Sequence, residues 1–244
     1  MRLISIVVLF IISSFSLKGQ ETCDIHDFLS IHFLDKIEQT DYDENIDLSS
    51  LFFTEKTYAG TAKYLGYIGN NRKRLHIIFF AIKKNNNAVY EVSGQTKVFN
   101  GVTRKFEGEF ILKEQCIFDN KQLATEESYE HEVKESELHG FSVLEFKLLE
   151  NNKLSSTGIF EGNIFVLWYK NNEGQLLYND IQGYVPSYTN CVFNGHWTSY
   201  RTKKKSIVAW SHYRIPCSGD LDVGAGEFSP NPKYYKYGWA DYMP

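Results

Sequence analysis

The chain of 244 residues lacks a basic surplus: 26 Lys and Arg stand against 30 Asp and Glu, for a net charge of −4 and a pI near 6.0. A nucleic-acid binder would want a basic face, so that class of partner is excluded. The only basic run of note, Lys203–Lys205, reads as a solvated hairpin tip. Beyond Phe15 no run is apolar enough to cross a bilayer. There is no nucleophile-elbow motif. Gly224-Ala-Gly226 is no dinucleotide fingerprint, because the third glycine is missing and Pro230 and Pro232 follow in place of a helix. Helix-favouring residues are not unusually abundant. What the chain has instead is aromatic side chains, 16% of the total, supplied mainly by 16 Tyr and 18 Phe. Both suit strands.

Residues 1–19 have the form of a secretory leader: Arg2, an apolar core from Leu3 to Phe15, then small and polar residues. The core is short for a membrane span. The expectation is a soluble exported protein, periplasmic or extracellular, with no transmembrane span. Its four cysteines, Cys23, Cys116, Cys191 and Cys217, would then sit where disulfides are the default. Residues 20–57 read as an N-terminal helix and an acidic connection. Ile25, Phe28, Leu29, His32, Phe33 and Ile37 recur at helical spacing over 24–39, with Asp24 and Asp27 at the start. Asp41 to Ser50 reads as a polar surface connection.

From residue 58 the pattern changes to strands, at about 59–68, 74–83, 88–98, 104–112, 141–149, 156–161, 163–170, 175–184, 191–201 and 206–215. Asn70-Asn71, Asn85 to Asn87, Asn151-Asn152 and Asn171 to Gly174 separate them, and Asn and Gly tolerate the left-handed conformation of tight turns. The fold class is all-β: an antiparallel meander closed into a barrel of about 8–10 strands, with a two-sheet sandwich as the alternative. Residues 58–244 form this single domain. Residues 113–140, with six glutamates between Glu126 and Glu137, read as an acidic excursion. Residues 218–244 read as an irregular aromatic segment that Tyr234, Tyr235, Tyr237 and Trp239 pack back on the barrel.

Cys191 to Cys217 reads as a hairpin. With Lys203–Lys205 as its loop, facing positions pair Thr198 with Trp210, His196 with His212, Phe193 with Ile215 and Cys191 with Cys217. Opposed strand residues lie within disulfide reach. The expectation is a Cys191–Cys217 bond, and by elimination a Cys23–Cys116 bond.

Three segments share aromatic-x-Gly: Phe106 to Phe110, Phe160 to Gly162 and Phe193 to Trp197. Together with Tyr64 to Gly69, the leader and the aromatic C-terminus, they resemble a group of uncharacterised exported bacterial β-barrel proteins of avidin- or lipocalin-like architecture. The resemblance covers residues 58–215. It implies a barrel with a binding cavity and brings no catalytic residues with it. The avidin biotin ligands have no matching positions, so biotin is not implied.

Candidate chemistry is sparse. His196 and His212 facing each other are two imidazoles for a metal, but a third ligand is missing and Arg214 sits beside them. Ser211 and His212 point to opposite faces, so they form no dyad. Asp220, Asp222 and Glu227 among Gly219, Gly224 and Gly226 supply the oxygens and flexible backbone that wrap calcium, without the spacing of an EF-hand. Trp168, Tyr169, Tyr200 and Trp210, with His196 and His212, are the candidate walls of a ligand cavity at a barrel mouth. The expected function is non-enzymatic binding, with no cofactor beyond a possible calcium ion. The ligand is a small apolar or amphipathic molecule, or else a protein of the cell envelope. A periplasmic hydrolase using Asp220 and Asp222 as a carboxylate pair is the first alternative, and a purely structural envelope protein the second.

Overall fold

A computed structural model describes residues 45–53, 63–86, 88–118, 138–179, 188–215 and 217–242. The leader, the expected helix over 24–39, Cys23 and most of the acidic excursion lie outside the described residues. Among the described residues the strands are β1 (Leu65–Ile68), β2 (Lys73–Lys84), β3 (Val89–Val98), β4 (Thr103–Phe118), β5 (Leu138–Glu150), β6 (Gly158–Lys170), β7 (Leu176–Tyr178), β8 (Asn190–Ser199) and β9 (Lys205–His212). Every pairing is antiparallel. The order β5-β4-β3-β2-β1-β9-β8-β6 is closed by β5 on β6, giving an eight-stranded barrel, and β7 continues the edge of β6 where β8 has left it. Closure leaves the meander without free edges of the usual kind.

Four strand boundaries differ from expectation. The two strands expected at 156–161 and 163–170 are one, β6. Gly162 does not interrupt it but lies opposite Gly195 of β8, and a Cβ on either would run into the other strand's backbone. These inward glycines let neighbouring strands approach closely where the wall curves. β4 and β5 both reach into the segment expected to be an acidic excursion. A bulge between Leu112 and Glu114 breaks the period-two pattern there and hides the continuing strand from the sequence. The last expected strand of this group shrinks to the three residues of β7.

The β8–β9 register is also different. Phe193 faces Trp210 and Thr198 faces Lys205, so the loop is Tyr200 to Lys203, closed by Ser199 and Lys204. Facing positions therefore differ by five from those expected. An odd shift changes which faces meet. It brings Phe193 and Trp210 together inside the barrel, with rings 4.7 Å apart and 17° from parallel. Burying that pair is a stronger constraint on register than centring the loop on three lysines. As a result Cys191, at a bulge with φ of 48°, lies near His212 rather than Cys217. Cys116 and Cys191 are buried thiols, so neither expected disulfide forms.

The barrel is filled. Phe79, Tyr90, Phe106, Phe110, Phe146, Phe160, Trp168, Phe193 and Trp210 share one interior cluster, and all are buried. One end is stoppered by residues 46–53, expected to be a surface connection. Ile46, Leu48, Leu51 and Phe52 are buried in the interior cluster. Phe52 packs on Phe110 and Phe193 at 5.2 and 6.0 Å, and the Leu48 amide donates to the Tyr90 hydroxyl. Four apolar residues interleaved with Asp47, Ser49 and Ser50 are too few to show a period, which is why they read as a linker.

The other end is closed by Glu150, 5% exposed. Its carboxylate accepts from the Thr96 hydroxyl at 3.1 Å, the Gly158 amide at 2.8 Å and the Trp197 indole at 3.0 Å. Burial raises its pKa, opposed by those three bonds and by Arg104.

Outside the wall, the C-terminal segment packs as the aromatic pattern predicts. Leu221, Phe228 and Trp239 bury the outward faces of Leu65, Tyr67 and Ala209, with Tyr234, Tyr237 and Tyr242 around them, while Tyr235 stays exposed. The Trp239 indole donates to the Arg72 carbonyl at 2.6 Å.

Candidate functional site

β1 is short, and this opens the site. It pairs with β2 only at Tyr67–Arg74 and Ile68–Lys73, whereas β2 runs on to Lys84. From Leu75 onward the β1-facing edge of β2 has no strand partner among the described residues. A cleft of about 440 Å³ occupies this seam in the wall. Lys63, Tyr64 and Leu65 line it from the approach to β1, and Arg74 with His76 to Phe79 from β2. Phe52 and Phe53 come from the stopper, His212 from the end of β9 and Tyr242 from the C-terminal segment.

The floor is aromatic and fixed. Tyr64 lies over His212 with ring centroids 4.2 Å apart and meets Phe79 edge-on at 5.7 Å. The Tyr64 hydroxyl donates to the Phe52 carbonyl at 3.4 Å. His212 is 1% exposed and shares a 2.9 Å hydrogen bond between its Nδ1 and the Tyr178 hydroxyl. Burial pushes its pKa down to about 3, so the ring is neutral at physiological pH. Burial likewise raises the Tyr64 and Tyr178 hydroxyls, and it pushes up the neighbouring Cys191 thiol, which stays protonated. With the imidazole neutral and the thiol protonated, Cys191 is not an activated nucleophile.

The rim is different. Ile78 and Phe53 are exposed on its lip, at 52% and 38%. Arg74 is held between rings, its guanidinium 5.4 Å from Trp239 and 5.6 Å from Tyr242, with Nη1 donating to the Gly238 carbonyl at 3.3 Å. Burial lowers its pKa, which Tyr242 and Asp241 partly offset. His76 is lowered by burial, then by Arg74 and Lys97. The apolar floor with three nitrogen-bearing groups above it suits a molecule with an apolar body and a polar end.

Of the residues expected to wall a cavity, the structure brings only His212 to this cleft. Trp168 and Trp210 are fully buried in the interior, with the Trp168 indole donating to Ser142 at 3.0 Å. Tyr169 faces outward and stacks on His139. Tyr200 belongs to the loop at the far end, and His196 is exposed on the outer face, opposite Ile207. The two histidines therefore do not face each other. The cleft's own residues carried one readable signal, the run Ile77 to Phe80, in which apolar side chains occupy both faces of a strand.

The carboxylate loop wraps a cation supplied by the chain itself. Arg214 Nη1 meets Asp222 at 2.5 Å, and Nη2 donates to the carbonyls of Gly224, Gly226 and Glu227 at 3.0, 2.6 and 3.3 Å. The second Asp222 oxygen accepts from the Gly224 and Ser229 amides, both at 3.0 Å. Asp220 is taken up by Lys233 and the Tyr234 hydroxyl. Of the carboxylates that suggested calcium, Asp222 thus binds a guanidinium and Asp220 an ammonium. No group of three or more metal-ligating side chains is present among the described residues. Neither Asp220 nor Asp222 lines the seam cleft. On the outer wall, Glu145 and Glu161 are paired with Lys113 and Lys147 at 2.9 and 3.2 Å. No helix among the described residues is long and apolar enough to cross a membrane. Compared with protein-family models, with curated proteins and with solved structures, the chain matches none.

Proposed function

We propose that this protein is a non-enzymatic binding barrel that takes a small amphipathic ligand in the seam between β1 and β2. The observation that carries the reading is the contrast between a filled interior and the cleft of about 440 Å³ beside it, a size within the roughly 300–1,000 Å³ of small-molecule sites. Eight antiparallel strands in an up-and-down closure are the architecture lipocalins use, which supports the resemblance read from the sequence while moving the site from the interior to the wall. The leader-like residues 1–19 support export, and with it a periplasmic or extracellular ligand.

The test is titration with the neutral apolar fluorophore N-phenyl-1-naphthylamine. Saturable enhancement is expected, lost in Ile78→Glu, which places a carboxylate on the exposed lip. It should persist in Tyr200→Ala at the opposite end. Non-saturable fluorescence, or binding indifferent to Ile78→Glu, would overturn the proposal.

A further inference from the structure

We infer that the ligand of the seam cleft is an anion, a carboxylate with an apolar tail, whose head is read by Arg74 with Lys63 and His76. This rests on the cleft being the binding site. Two basic side chains, Lys63 and Arg74, stand on the rim of a cleft in a chain whose net charge is −4, so this local excess is not a by-product of composition. Among the described residues no carboxylate lines the cleft. Arg74 makes no ion pair among the described residues, where the pairs are Lys113–Glu145, Lys147–Glu161, Arg214–Asp222 and Lys233–Asp220. Asp241 is near enough to act on it electrostatically without contacting it as a salt bridge.

Arg74 is also placed in advance. Trp239 and Tyr242 hold the guanidinium by its ring contacts, and among the described residues one hydrogen bond, to the Gly238 carbonyl, engages its donors. A guanidinium has five N–H donors in a planar fork that matches a carboxylate, so donors remain for a ligand. The contrast with Arg214 is instructive: there the same group is consumed by Asp222 and three carbonyls. Below the rim, Tyr64, Phe79 and Ile77 offer apolar surface for the tail. Fixing the guanidinium before binding lowers the ordering cost and favours a fixed head position.

The experiment is calorimetric titration with three ligands of one tail length: decanoate, decanol and decyltrimethylammonium. Decanoate should bind at least about tenfold more tightly than decanol, the effect of a charge-assisted hydrogen bond, and the cation most weakly. Arg74→Gln should remove the preference for decanoate over decanol. Because Arg74 also packs on Trp239 and Tyr242, a second variant combines Lys63→Gln with His76→Gln, both exposed, and should reduce the preference severalfold while leaving the fold intact. Equal binding of decanoate and decanol, or a preference that survives both variants, would overturn the anionic inference and leave the cleft as an apolar site. If none of the three saturates, both the inference and the proposed site fail.

Discussion

Replacing Glu150 by Gln and by Ala separates a buried charge from the hydrogen bonds it makes. In the native barrel one carboxylate oxygen accepts from Thr96, and the other from the Gly158 amide and the Trp197 indole. Glutamine keeps all three contacts. Its carbonyl oxygen serves Gly158 and Trp197, and its amide donates to the Thr96 hydroxyl, which turns to accept. The variant loses only the charge, whose burial outweighs its bonds, as the raised pKa shows. Glu150→Gln should therefore lie within about 1 kcal/mol of wild type at neutral pH. Alanine leaves the Gly158 amide and Trp197 indole without an acceptor and opens a cavity. At about 1–3 kcal/mol for each of these two buried orphans, the loss should be about 2–6 kcal/mol. The sign with pH follows from the direction of the shift. A carboxyl whose folded pKa is raised holds its proton more tightly when folded, so the associated stability is complete below the unfolded pKa and is lost as pH rises through the folded pKa. Wild type should gain on Glu150→Gln as pH falls from neutral toward the ordinary carboxylate range. Urea unfolding of the three proteins at a series of pH values measures this. An alanine variant as stable as the glutamine one, or a wild-type-to-glutamine difference that does not change with pH, would refute the reasoning.

Three further outcomes follow from the packing. Phe52→Ala should destabilise the barrel by about 3–5 kcal/mol, the usual cost of truncating a buried phenylalanine, because residues 46–53 are its stopper; a change under about 1 kcal/mol in urea unfolding would make them a linker after all. Arg214→Met should cost about 3–5 kcal/mol by leaving Asp222 and the loop carbonyls without their cation, whereas neither chelator nor millimolar calcium should move the wild-type melting temperature; a calcium-dependent rise would restore the metal reading. Cys116 and Cys191 should resist a thiol reagent in the native protein and react in denaturant, with peptide mapping as the check, since both are buried; a peptide in which Cys191 is bonded to Cys217 would contradict the observed β8–β9 register.

Much of the barrel is legible in the sequence because asparagine turns and alternating aromatics mark the strands individually. What the sequence does not carry is how strands are matched. The Lys203–Lys205 run suggests a loop, but the pairing of Phe193 with Trp210 inside the barrel decides the register, and that pairing depends on a closed interior. The same non-locality hides the cation of the carboxylate loop: Arg214 precedes Asp222 by eight residues and reaches it only after the chain turns back. The cleft exists because β1 ends early against a long β2, a property of two strand lengths together. Two of the aromatic residues read as ligand walls, Trp168 and Trp210, instead fill the core, pointing inward by the same alternation that marks their strands.

The central claim is that the ligand enters the wall of a filled barrel, and photolabelling tests it most directly. A decanoate carrying a diazirine in its tail, irradiated with the native protein and mapped by mass spectrometry, should label the stretches around Tyr64 and Ile77 to Phe79, with labelling suppressed by excess decanoate. Labelling concentrated on Trp168, Phe193 or Trp210 would place the ligand in the interior and contradict the account.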